Sequence, residues 1–140
     1  MYTSDKSITL KHCRNYLKAT VFCAFFGAVY EKFSHEVYSY FMIYAFAIPL
    51  VMGALPLLKI AESKIKQPDL KALYLYNSGV ASLTIGSIFR GVLEIYGTTN
   101  SLSEVYFIAG TVFIVTGFSV WLFQEKNSTE NLSRLQGEAK

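Results

Sequence analysis

Apolar residues fall along this chain in four long runs separated by short polar stretches. The runs cover about residues 16–33, 37–58, 72–97 and 105–124, and the second passes 22 residues without a charged side chain. Each approaches the ~20 residues an α-helix needs to cross ~30 Å of hydrocarbon. In lipid the backbone must pair within its own segment, so runs of this kind are expected as helices. The pattern predicts an all-α integral membrane protein. Four transmembrane helices form an antiparallel bundle, a single domain over residues 1–140 that ends in a polar cytoplasmic tail at 125–140.

The third run organises this reading. Its uncharged stretch is bounded by Lys71 and Arg90, with Glu94 one turn later. The nineteen steps from Lys71 to Arg90 rise roughly 28 Å, which puts Arg90 near the far edge of the apolar slab. Read in fours, this helix presents Ser78, Ser82, Gly86, Arg90 and Glu94, and the first presents Ala19, Cys23, Gly27, Glu31 and His35. Small residues at such spacing allow close helix contact in membranes. The two grooves are therefore expected to meet and to pair Glu31 with Arg90, because an unpaired charge within a span is costly. Glu31, His35, Arg90 and Glu94 form the candidate ligand or ion-pair cluster, ringed by Tyr30, Tyr38 and Tyr96. Two plainer outcomes compete: Arg90 snorkels to the headgroups beside Glu94, or the pair merely fixes helix register.

Pro49, Gly53 and Pro56 interrupt the second run. Each proline removes a backbone donor and crowds the preceding turn, so a bend is expected there, either a hinge or a packing kink. Pro68-Asp69 reads as a turn that starts the third helix. The charged start and short apolar heart of the first run also fit a secretory signal peptide, but the small-residue pattern for cleavage is poor and Glu31-Lys32 follows at once.

Charge sets the expected orientation. Lys6, Lys11, Arg14 and Lys18 lie at the N-terminal side, Lys59, Lys64, Lys66 and Lys71 in the middle connection, and Lys126, Arg134 and Lys140 in the tail. The outer connections hold Lys32 alone, so both termini are expected in the cytoplasm. Tyrosines and Trp121 gather near the span ends, as amphipathic rings do at headgroup level. The expected location is a cell membrane, a plasma membrane of bacterial type. The net charge of +3 resides at helix ends, and no basic face or recognition motif points to nucleic acid.

Few chemistries fit. Glu31 and His35 share a helical face at i, i+4 and Glu94 could join them, but the nearby arginine argues against a metal. His12 and His35 lie on opposite sides, which disfavours haem ligation. Cys13 and Cys23 are roughly 15 Å apart along one helix, beyond disulfide reach. Asn127 and Asn131 match the glycosylation pattern, which carries no meaning on the cytoplasmic side. No cofactor is expected. In size and span number the chain resembles the small multidrug resistance transporters, whose dimers use a first-span glutamate. Glu31, however, lies at a helix end, and Arg90 opposes a cationic substrate, so that activity is not expected.

The expected function is that of a non-enzymatic accessory or interaction protein, with the bilayer and a homo-oligomer or larger membrane complex as partners. The alternative is a small oligomeric transporter, channel or sensor using the Glu31/Arg90 cluster and the kinked second helix. Polar side chains at mid-depth are few: Ser78, Ser82, Thr84, Ser87, Thr111 and Thr116. That scarcity counts against a transport path. A membrane enzyme acting on a lipid or quinone is the third and least supported class.

Overall fold

The computed structural model describes residues 2–34, 37–63 and 68–138, and among them every regular element is helical. In chain order they are α1 (Tyr2–Phe33), α2 (Tyr40–Ile43), a π-helix (Ile48–Ala54), α3 (Leu55–Glu62), α4 (Leu70–Ile95) and α5 (Leu102–Glu138). Two of them, over Leu70–Ile95 and Leu102–Ser128, are long and apolar enough to cross a membrane. Large apolar side chains point outward along much of the molecule, among them Phe22, Phe25 and Phe33 on α1 and Ile108, Val112, Val115 and Phe123 on α5. A water-exposed protein rarely presents so wide an apolar surface.

The helix boundaries follow from local chemistry. Asp69 caps α4 by accepting a hydrogen bond from the Leu70 amide at 2.8 Å. At the other end Gly97 takes φ +69, and the amides of Gly97 and Thr98 return to the carbonyls of Glu94 and Leu93. This is the glycine-terminated cap that satisfies last-turn carbonyls. Asn100 Oδ1 then accepts from the Leu102 amide and starts α5. The α5 helix continues into the polar stretch as far as Glu138.

The second apolar run is broken rather than bent. Its helix stops after Ile43, turns, and resumes as π-helix around Pro49 before α3 begins at Leu55, with Pro56 in its first turn. The irregular backbone leaves carbonyls without their usual partners, and side chains on α4 supply donors. Pro56 has no amide hydrogen to offer the carbonyl of Met52, and the Tyr76 hydroxyl donates to it at 2.6 Å. Where the turn diverts the amide of Ala45 to Met42, the Ser87 hydroxyl donates to the Phe41 carbonyl at 2.8 Å. Broken helices survive in apolar surroundings when neighbours satisfy the freed groups in this way.

The helix α4 is buried on two sides. Leu73 joins Cys13, Ala54 and Leu57 in a small core, and Gly91 admits Met42 so closely that a Cβ there would lie 2.9 Å from its amide nitrogen. On an adjoining side α4 meets α5 along glycines. A Cβ on Gly79 would sit 2.7 Å from the Gly110 carbonyl oxygen, one on Gly110 would sit 3.0 Å from that of Gly79, and one on Gly117 would sit 3.0 Å from that of Ala72. The α5 helix packs chiefly on α4, and its Phe107 ring also meets Phe41 of α2 at 6.0 Å between centroids.

This arrangement corrects the expected meeting of the two grooves. Gly27 faces the Met42 carbonyl, and Gly86 faces Tyr106 of α5. The broken segment fills the place opposite Gly27, so the glycines of α1 and α4 serve different neighbours.

Removing the Tyr76 hydroxyl tests the carbonyl repair. Tyr76→Phe should lower stability by about 1–3 kcal/mol, the range for a buried acceptor left unpaired. Thermal melting in detergent measures it, with Tyr74→Phe, an exposed tyrosine on the same helix, expected to change little.

Candidate functional site

The last turns of α4 carry Arg90 and Glu94 on one side, as their i, i+4 spacing requires. Arg90 Nε lies 3.4 Å from Glu94 Oε1, and its guanidinium sits 4.5 Å from the centroid of the Phe41 ring. The second carboxylate oxygen of Glu94 accepts a 2.7 Å hydrogen bond from the buried Ser39 hydroxyl. One carboxylate thus ties the end of α4 to the residue that precedes α2. The two charged side chains are 40% and 36% exposed, so water or headgroups reach the pair and the Coulomb gain is modest. Charge-assisted bonding to Ser39 and the arginine–phenylalanine contact add to it.

A polar cavity of about 250 Å³ opens beside this latch, between the end of α4 and the start of α5. Arg90, Glu94, Thr98, Thr99, Asn100 and Glu104 line it. Glu94 already neutralises Arg90, so the cavity offers hydroxyls and a further carboxylate instead of a free cation. Such a lining suits a neutral or amine-bearing polar molecule better than an anion.

The other expected site residues fall apart from this latch. The Tyr30 and Tyr96 hydroxyls interact, which sets α1 and α4 in parallel with a numbering offset of 66 near their C-terminal ends. Glu31 and Arg90 are 59 apart in number, so Glu31 passes Arg90 by seven residues, roughly 10 Å. No Glu31–Arg90 pair forms. Glu31 Oε1 is buried and has no hydrogen-bond partner. Tyr38 and Tyr96 are exposed, and His35 lies outside the described residues. Pro49 and Gly53 lie in the π-helix and Pro56 in the first turn of α3, with Gly53 pressed against the Tyr16 ring. Among the described residues no three histidine, cysteine or acidic side chains gather to hold a metal.

With the geometry in place, the chain can be set against known proteins. It matches no family model, no curated protein and no solved structure.

A second polar cluster was missed in the sequence. Asn77, on α4, accepts a 2.6 Å hydrogen bond from the Tyr16 hydroxyl through Oδ1, and its Nδ2 lies 3.0 Å from His12 Nδ1. With Oδ1 taken by tyrosine, the amide nitrogen must donate, so His12 accepts at Nδ1 and carries its proton on Nε2. Burial and the nearby Lys11 hold the His12 pKa below its ordinary value, as this neutral role requires. The available signal was an asparagine inside an apolar helix, a residue type that bonds across helices.

Two measurements follow from these geometries. Glu94→Ala should cost about 1–3 kcal/mol through the orphaned Ser39 and Arg90, while Glu31→Ala should be neutral or stabilising because it removes an unpaired buried oxygen. Melting in detergent compares them directly. The His12 site predicts acid sensitivity. As pH falls below about 6.5, the unfolded chain takes up a proton that folded His12 resists, so stability declines with falling pH. His12→Asn should flatten that part of the melting profile, and an unchanged profile would contradict the assignment.

Proposed function

We propose that this protein is a small polytopic membrane protein that works by docking against other membrane components and performs no chemistry of its own. In this reading α1 from about residue 16, the broken segment, α4 and α5 cross a plasma membrane of bacterial type, with both termini and the connection at 59–71 in the cytoplasm. The observation that carries it is the one-sided packing of α5. The helix rests mainly on α4, with Phe107 meeting the Phe41 ring, while Ile108, Val112, Val115 and Phe123 face outward. Such a face suits contact with lipid, a second copy or another membrane helix.

The charged latch fits the same reading. Arg90 and Glu94 are committed to each other, to Phe41 and to Ser39, which is the bonding of a structural tie. The other reading, a small oligomeric sensor or transporter, draws support from the 250 Å³ polar cavity and from the π-helix. Short π-helical stretches recur at functional sites, and Pro49, Gly53 and Pro56 would then act as a hinge.

Thiol labelling tests the topology in a chain carrying Cys13→Ala and Cys23→Ala. An impermeant maleimide added to intact cells should label Thr99→Cys and spare Ser63→Cys until the membrane is opened. After mild extraction the chain should migrate in an assembly heavier than its 15.7 kDa monomer, and Val112→Trp on the free face of α5 should disperse it. External labelling at position 63, or a monomer before any substitution, would contradict the proposal.

A further inference from the structure

A slot of about 280 Å³ opens at the end of the molecule opposite the charged latch, between α3, the start of α4 and the middle of α5. Leu57, Leu73, Phe118 and Trp121 give it almost wholly apolar walls, and Gly117 and Ala72 leave room for it. Among the described residues Lys59 is the one charged residue in its lining, and it is itself exposed. An apolar slot crowned by a single ammonium group has the polarity of an anionic amphiphile.

We infer that this slot holds one anionic phospholipid of the inner leaflet, with an acyl chain between α3 and α5 and its phosphate on Lys59. The inference rests on the membrane reading above, which puts this end at the cytoplasmic headgroups. Basic pockets between membrane helices on that side bind acidic lipid headgroups. Trp121 stands where an indole favours the interface. The surrounding charges leave the lysine available. Asp69 is engaged by the Leu70 amide and by Gln124, and the exposed Lys71 lies outside the lining. Glu62, three residues beyond Lys59, is the nearest acid on α3 and sets the limit on the pull. A neutral lipid would fill the slot equally well but would gain nothing from Lys59, and a second copy of the chain would bring no phosphate.

Trp121 is the single tryptophan of the chain, so its fluorescence reports on the slot directly. The full chain is reconstituted in bilayers containing brominated phosphatidylglycerol or brominated phosphatidylcholine at the same mole fraction. The brominated anionic lipid should quench with an apparent affinity about fivefold higher, the worth of one lysine near an acidic headgroup. Lys59→Ala should abolish that preference, and Lys71→Ala should leave it intact. Equal quenching by the two lipids, or equal loss with both variants, would overturn the site and leave the membrane reading standing. Absence of quenching by either lipid would overturn both.

Discussion

A broken helix in apolar surroundings must find donors for the carbonyls it frees, and in this protein that requirement fixes what lies beside it. Pro49 and Pro56 make the second segment irregular, and α4 answers at two heights, with Tyr76 on the Met52 carbonyl and Ser87 on that of Phe41. Glu94 adds a third tie, to Ser39. These bonds commit one side of α4 along most of its length. The adjoining side is left for α5, which approaches closely because glycines face it. The α1 helix packs on what remains, mainly the broken segment, and reaches α4 through long side chains at Tyr16 and His12.

Much of this was readable from residue order. The first, third and fourth apolar runs are helical, Asp69 begins α4, and the prolines disrupt the second run, each for a local reason that needs no knowledge of neighbours. What could not be read so directly was which helix each face of α4 meets. Residues taken in fours advance about 40° around a helix per step, so the series Ser78, Ser82, Gly86, Arg90 and Glu94 sweeps roughly 160°. No single partner can contact all of it. Ser78 is exposed, Gly86 faces α5, and Glu94 bonds Ser39 of the second segment. Residues taken in sevens drift only ~20° per step. Ala72, Gly79 and Gly86 on α4, with Gly110 and Gly117 on α5, follow that straighter seam. The information was present in the spacing, at a period other than the one used.

The same geometry explains the fate of the expected ion pair. Register between α1 and α4 is set by Asn77 bonding Tyr16 and His12 at one end and by Tyr30 meeting Tyr96 at the other. Those contacts carry Glu31 past Arg90, which turns to its own helix neighbour and to an aromatic face. The polar residues near the C-terminal ends of α1 and α4 therefore divide into a latch around Glu94 and the unpartnered Glu31 Oε1 on α1. Arg90 and Glu94 are thereby engaged with each other, with Phe41 and with Ser39, while large apolar side chains of α1 and α5 point outward.

The account turns on α5, rather than α1, covering the Gly86 side of α4. Disulfide formation distinguishes the two in a chain carrying Cys13→Ala, Ser82→Cys and Tyr106→Cys, with native Cys23 retained. The Ser82 hydroxyl lies 3.0 Å from the Tyr106 carbonyl oxygen, while Cys23 would stand beside position 82 only if the two small-residue grooves met. Oxidation followed by peptide mapping should join positions 82 and 106 and leave Cys23 free. A bridge from position 82 to Cys23 would contradict the packing described here.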